Sequence, residues 1–240
     1  EHTSGNITGL YSEDMINTYL SLRLSSNWVL TPISGTSGYY PQLKAFTSSA
    51  TAAIKNRSTA SVTISIADGL GTESYPFLIR NNTDLENMKA RINVGDSFEG
   101  FYFKVANGID SFTLGNFAPI GSSSYPFKGH FDGNHADFNL AINRSTTDHV
   151  GLFGYLEVGS IRNLSISGSV FGNHYVGSVL GYLNSGTVEN VYNLASVRAN
   201  DDYAGGIVGY AISGTINQAY NDGDVLADDD YAGGIVSRVQ

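Results

Sequence analysis

The chain has no cysteine. Disulfides, thiolate metal sites and thiol nucleophiles are therefore excluded, and the composition suits an exported protein of the Gram-positive type. Charge is scarce at 15% of residues and leans to one sign: 13 lysines and arginines against 22 aspartates and glutamates, a formal net charge of −9. Nucleic acids and anionic membranes call for clustered Lys and Arg, so neither is expected as a partner. No apolar run is long enough to span a bilayer, and no signal peptide or lipidation motif is present. Among 240 residues there are only 5 prolines, 2 methionines and 1 tryptophan. That length can bury a sizeable core in one or two domains. The composition is instead rich in Gly, Ser, Thr and Asn, with 28 glycines and 15 tyrosines, which suits a turn-rich β protein.

These residues are arranged as a repeat. Asp202-Tyr203-Ala204-Gly205-Gly206-Ile207-Val208-Gly209-Tyr210 returns 28 residues later as Asp230-Tyr231-Ala232-Gly233-Gly234-Ile235-Val236. Weaker copies are Tyr175-Val176-Gly177-Ser178-Val179-Leu180-Gly181-Tyr182 and His149-Val150-Gly151-Leu152-Phe153-Gly154-Tyr155. The second half of each unit also recurs: Gly159-Ser160-Ile161, Gly186-Thr187-Val188 and Gly214-Thr215-Ile216, then Val170, Val197 and Val225. Each unit holds three short, β-branched apolar patches separated by turn residues, which read as strands. No unit can bury its own apolar side, so units must stack. The expected fold is all-β: a right-handed parallel β-helix with three strands per turn and a repeat of about 28 residues, capped N-terminally by a short helix. Equivalent residues then sit roughly 4.8 Å apart. Ile207 is expected beside Ile235, Val197 beside Val225, and Tyr155, Tyr182 and Tyr210 in one aromatic column. A leucine-rich solenoid fits less well, because Asn163-Leu164-Ser165-Ile166 has no return segment after it.

The order Gly-Gly-Ile-Val-Gly-Tyr, then Gly-Thr-Ile, then Val resembles the GLUG repeat of bacterial surface and secreted proteins. Such repeats occur in non-catalytic regions of IgA-specific metallopeptidases and in adhesin-like proteins. Pro126-Phe127-Lys128-Gly129-His130-Phe131-Asp132-Gly133-Asn134 is similar to the turn that leads into them, and Gly71-Thr72-Glu73-Ser74-Tyr75-Pro76-Phe77-Leu78-Ile79 to an opening segment. The resemblance covers Gly71 to the end. It implies a stalk or binding surface outside the cell, at the bacterial cell wall, and says little about activity. The chain stops inside a unit, with Arg238 where a tyrosine is expected, so a longer multidomain parent is expected.

The layout expected is residues 1–46 as the tail of a preceding unit or an N-terminal cap region, 47–70 as linker and edge strand, and 71–240 as the β-helix, truncated at its C-terminus. Ser12-Glu13-Asp14 starts a short amphipathic helix to about Leu22. Trp28, Tyr39, Tyr40, Pro41 and Leu43 form an apolar group, Thr47 to Ser61 a linker, and Val62, Ile64 and Ile66 a half-buried strand. Thr83-Asp84-Leu85-Glu86 reads as a capping box, with Leu85, Met88 and Ile92 on one face of the helix that lids the first turn. Phe101 to Val105 and Ser111 to Leu114 read as strands, with Asn107-Gly108 as the turn between them.

Chemistry is thinly signalled. There is no His-Glu-x-x-His, so the resemblance carries no peptidase centre into this chain. His130 and His135 flank Phe131-Asp132-Gly133-Asn134 and read as turn residues with solvated imidazoles. Asp201, Asp202, Asp229 and Asp230 should form a carboxylate ladder. It is read as a solvated acidic edge, with Ca²⁺ as the one cofactor considered. Arg198 reads as a surface ion-pair partner of Asp201 and Asp202. Tyr175, Tyr203 and Tyr231 are the candidate ligand strip, against a plainer role as packed corner rings; Tyr182 and Tyr210 are the alternative strip. Asn163 and Asn190 suggest an asparagine ladder. No convergent catalytic set emerges. The expected function is a non-catalytic adhesin or stalk module that binds or presents a surface to a host glycan or extracellular protein. The alternatives are a β-helical polysaccharide lyase or hydrolase, or an accessory region of a secreted metalloprotease.

Overall fold

A computed structural model describes the backbone of Trp28–Pro32 and Tyr39–Leu43 and all of residues 69–240. The chain forms two compact units, Glu1–Thr63 and Ile64–Gln240. In the first, β1 (Trp28–Pro32) and β2 (Tyr39–Leu43) pair antiparallel with Trp28 opposite Leu43. The helix expected from Ser12, the linker, the strand at Val62 and the side chains of the Trp28–Tyr39 group lie outside the described residues.

The second unit is a parallel β-solenoid. It runs β3 (Phe77–Ile79), α1 (Asn82–Ile92), β4 (Tyr102–Val105), β5 (Ser111–Gly115), β6 (His130–Asn143), β7 (Phe153–Leu156) and β8 (Ser160–Gly172). Then follow β9 (Val176–Gly177), β10 (Leu180–Leu183), β11 (Thr187–Asn193), β12 (Ser196–Ala199), β13 (Ala204–Gly205) and β14 (Val208–Ala211). The last four are β15 (Thr215–Asn221), β16 (Val225–Ala227), β17 (Ala232–Gly233) and β18 (Val236–Val239).

Three sheets enclose the core. The wide sheet has the path β15-β11-β8-β6-β4-β3, six successive rungs, with β5, β12 and β16 beside it. The second sheet is β18-β14-β10-β7 and the third β17-β13-β9. Every strand pair in this unit is parallel, and the register follows the repeat: Val188 lies between Ile161 and Ile216, and Val197 between Val170 and Val225. Ile207 donates its N–H to Ile235 O at 2.9 Å. The three-patch unit is thus a three-sided winding. Later windings carry four strand segments, because the single long β8 is matched by two shorter strands, β11 and β12, split at Asn193-Leu194-Ala195.

The core narrows chemically along the axis. Phe103, Phe127, Phe131, Phe138 and Phe153 fill the early windings, while Val188, Val197, Ala204 and Val208 fill the later ones. α1 closes the N-terminal end with Leu85, Met88 and Ile92 fully buried, at roughly 1.5–3 kcal/mol of transfer free energy for each side chain. Its cap differs from the one expected. Asn81, not Thr83, is the N-cap: it is extended, and its Oδ1 accepts the Asp84 N–H at 3.0 Å. Asn caps as well as Thr, and Asp84 returns a carboxylate oxygen to the Arg80 N–H at 3.0 Å.

Two other local expectations are corrected. Asn107-Gly108 does not fold β4 back on β5. Both lie parallel along β6, with Tyr102 opposite His130 and Ser111 opposite Asp137, so the dipeptide turns a corner within one winding. Phe131-Asp132-Gly133-Asn134 is no free turn either. It lies inside β6, where the register slips between Asp132 and Ala136 and Asn134 and His135 take φ of 49° and 67°. One glycine corner is obligatory. Gly159, Gly186 and Gly214 recur at φ of 102°, 100° and 101°, and a Cβ on Gly159 would meet Gly129 O at 1.9 Å.

Candidate functional site

The repeat places a tyrosine just before each β9-type strand and another in each β10-type strand. The first set, His149, Tyr175, Tyr203 and Tyr231, occupies left-handed backbone at φ of 56°, 56°, 69° and 58°. Their rings stack at 5.0, 5.1 and 5.0 Å. The second set, Tyr155, Tyr182 and Tyr210, stacks at 4.7 and 5.3 Å. The two columns interlock edge to face: Tyr175 meets Tyr182 and Tyr210 at 5.5 Å each, and Tyr203 meets Tyr210 at 5.2 Å. Such contacts contribute about 0.5–1.5 kcal/mol each beyond burial.

The two columns, alternatives to each other as ligand strips on sequence grounds, are not separate. They are one double ladder of seven rings, and His149 is its first member. That membership was legible from the aligned position of His149 in the repeat. The rings are half-exposed, with Tyr231 at 46%. Because the ring faces within each stack cover one another, the ladder offers edges and hydroxyls to solvent. Burial raises the phenol pKa of Tyr155, Tyr175 and Tyr182, and neighbouring phenols reinforce the rise in the last two. Burial also lowers the His149 pKa, so a neutral imidazole belongs in the stack. Arg238, where a further tyrosine was expected, lies with its guanidinium 5.1 Å from the Tyr231 ring and donates to Tyr203 Oη at 3.4 Å.

An acidic edge runs beside the ladder. Asn173 Nδ2 donates to Asp148 Oδ1 at 2.9 Å, and the Asp230 N–H donates to Asp202 Oδ1 at 3.0 Å. Asp201 lies one rung from Asp229 and raises its pKa, first because the protonated Asp229 carboxyl can donate a hydrogen bond to it and then through like charge. His174 Nε2 lies 3.0 Å from Asp201 Oδ2. Of the four aspartates singled out in the sequence, Asp201 and Asp202 join His174 in a trio whose ligand atoms fall within 4.8 Å of one another. One imidazole with two carboxylates is a donor set that could hold a borderline divalent ion such as Zn²⁺ or Mn²⁺, as well as Ca²⁺. His174 lies one winding earlier, 27 residues from Asp201, so no local motif joins the two.

The remaining candidates are structurally engaged. Arg198 does not pair with Asp201 or Asp202; its Nη2 and Nε reach Asp228 at 2.6 and 3.1 Å, and its guanidinium lies 5.2 Å from the Phe171 ring. Alternation along β12 puts Arg198 on the outer face, where Asp228, two residues past its register partner Leu226, is within reach. His130 is not a solvated turn residue. It stacks on Tyr102 at 4.3 Å, its Nδ1 is 3.0 Å from Ser160 Oγ, and burial followed by the Arg162 charge lowers its pKa. The asparagine ladder forms: Asn190 Nδ2 donates to Asn163 Oδ1 at 2.8 Å, and Asn163 Nδ2 to Asp132 Oδ1 at 3.0 Å. A second, unforeseen ladder links Asn193 to Asn221 at 2.7 Å.

No protein-family model matches the chain. A protein of Evansella cellulosilytica named as a candidate Gly-rich membrane protein is 31% identical over 135 residues, covering 52% of this chain and 15% of that protein. Halomucin of Haloquadratum walsbyi is 31% identical over 145 residues, covering 55% of this chain and 2% of halomucin. The chain therefore spans only a small part of either relative. The crystal structure of a candidate immunoglobulin A1 protease from Bacteroides ovatus superposes with a TM-score of 0.50 at 24% identity, over 72% of this chain and 64% of that one. That likeness is one of fold. Among the described residues, no helix is long and apolar enough to cross a membrane.

Proposed function

We propose that this chain is a non-catalytic, stiff segment of a cell-surface protein that carries a binding face for a host glycan or an extracellular protein. Its windings are read as GLUG-type repeats, on the motifs that now fall at equivalent corners of successive turns. The observation that carries this reading is the double ladder: seven half-exposed rings held in fixed register along four windings. A continuous stack with interlocking edges resists bending, and its exposed phenol hydroxyls form an evenly spaced row suited to an extended partner. The relatives named as a membrane protein and as halomucin favour a place at the cell surface. Arg198 pairs with Asp228 and His130 stacks on Tyr102 beside Ser160, so both basic groups already have structural roles, which favours the non-catalytic reading.

The test is to present the purified chain to arrays of glycans and extracellular-matrix proteins while assaying polyuronate cleavage in parallel. Saturable binding without turnover supports the proposal. Turnover abolished by Asp201→Asn or Asp229→Asn would place the chain among polysaccharide-active enzymes instead.

A further inference from the structure

The wide sheet bends where Asn163, Asn190 and Gln218 take left-handed backbone at φ of 56°, 50° and 49°. Over that bend lies a shallow cleft of about 150 Å³ lined by His135, Ser165, Asn190, Tyr192 and Tyr220 above the backbone of Leu164 and Val191. It lies on a different sheet from the aromatic double ladder, and its chemistry differs. The column here reads Asp137, Ser165, Tyr192, Tyr220 in successive rungs, so aromatic rings enter only in the last two. Tyr192 and Tyr220 stack on no other ring among the described residues, and Tyr220 is 63% exposed. The Tyr220 face is therefore open, unlike those of the ladder.

The polar groups are held in place beforehand. The Tyr192 hydroxyl donates to Asp222 Oδ2, and that bond raises its pKa. Ser165 Oγ donates to Asp137 Oδ1 at 3.0 Å. Asn190 spends its amide nitrogen on Asn163 Oδ1 at 2.8 Å, leaving its own carbonyl oxygen as an acceptor. His135 is exposed, and neither ring nitrogen has a hydrogen-bond partner among the described residues. An open aromatic face beside fixed acceptors and an imidazole matches a pyranose ring, which has an apolar C–H face and a rim of hydroxyls. The volume suits one sugar residue. Asp137 and Asp222 border the cleft, so uronates and sulfated sugars are disfavoured by like charge.

We propose that this cleft is a subsite for one uncharged pyranose residue of a glycan, with Tyr220 as the stacking platform and Asn190 and His135 as the hydroxyl partners. The proposal rests on the surface-binding reading and adds to the ladder a second place with a defined ligand class. Titrate the whole chain with oligomers of N-acetylglucosamine, mannose and galactose, and with polygalacturonate, and follow binding by calorimetry. At least one uncharged oligomer should bind, and polygalacturonate at least tenfold more weakly. Tyr220→Ala and Asn190→Ala should each weaken binding about tenfold or more. Tyr220→Phe, which keeps the ring face, should retain it, and Tyr125→Ala, an exposed ring outside both the cleft and the ladder, should leave it unchanged. Unaltered circular dichroism in each variant removes misfolding as a cause. Glycan binding that survives Tyr220→Ala and Asn190→Ala, or that falls equally in Tyr125→Ala, overturns the subsite while leaving the surface-binding reading intact. Binding to matrix protein with none to any oligomer does the same. Binding to nothing on either array overturns both.

Discussion

Asn193 is the position where a single substitution should be most informative. It is fully buried at the break between β11 and β12. Its Nδ2 donates to Ala195 O at 2.9 Å and to Asn221 Oδ1 at 2.7 Å, and its Oδ1 accepts the Ala195 N–H at 3.0 Å. Asn193→Ala strips the side-chain partner from both polar backbone groups of Ala195, itself fully buried. Each orphaned buried group costs about 1–3 kcal/mol, so two give about 2–6, and partial relaxation leaves about 3 kcal/mol. For a chain of this size that is a fall in Tm of about 6–12 °C. The next rung supplies an internal control. Asn221 makes the same closed pair, to Gly223 O at 2.9 Å and from the Gly223 N–H at 3.2 Å, but it is only half-buried. Water can replace its bonds, so Asn221→Ala should cost about 1 kcal/mol. Thermal and urea unfolding followed by circular dichroism would measure both. Equal losses for the two variants, or a loss below about 1 kcal/mol for Asn193→Ala, would refute the reasoning that burial sets the cost.

Three further outcomes are expected. Burial depresses the His149 pKa below 6.5, so its stabilising contribution is present above that value and is lost as pH falls through the depressed one. His149→Tyr completes the ladder with the residue used in the next three windings, and should lose less Tm than the parent between about pH 7.5 and about pH 5. The Asp229 pKa is raised by its hydrogen bond to Asp201, so its ionised form is disfavoured in the folded chain and acid relieves the strain. Asp229→Asn should therefore raise Tm at neutral pH, with the gain shrinking as pH drops through the carboxylate range; a lower Tm at neutral pH would contradict this. Gly159→Ala drives a Cβ to 1.9 Å from Gly129 O at φ 102° and should cost more than about 2 kcal/mol by urea unfolding. Gly234→Ala, with nothing within 4 Å, is the matched control.

The axial fold was legible because stacking writes itself into sequence. Residues that become lateral neighbours, such as Val170, Val197 and Val225, must be alike to pack, and so they recur at the period. The capping face of Leu85, Met88 and Ile92 was legible from helical spacing. What escaped were contacts set by side-chain direction rather than by recurrence. Arg198 faces outward and reaches Asp228 because its register partner Leu226 brings that aspartate alongside, a choice that proximity to Asp201 does not reveal. Asn193 was passed over because a polar residue in an apolar repeat reads as a turn, yet its three hydrogen bonds let it bury completely. His174 joined Asp201 only once the windings were superposed. The cleft near Tyr220 depends on how the sheet bends at Asn190, which no local pattern states.

Every lateral contact described, from the tyrosine ladder to the cleft, requires that successive windings lie in the stated register. The chain has no native cysteine, so an engineered pair reports on register without interference. Glu189 and Asn217 are outward-facing register partners, joined by a hydrogen bond of 3.2 Å. Parallel neighbours about 4.8 Å apart lie within the Cα range of a disulfide. The double variant Glu189→Cys with Asn217→Cys should therefore close an intramolecular disulfide under mild oxidation. Glu189→Cys with Thr215→Cys, two residues out of register, should not. Efficient closure of the second pair, or failure of the first in folded protein, would contradict the in-register stack on which the account stands.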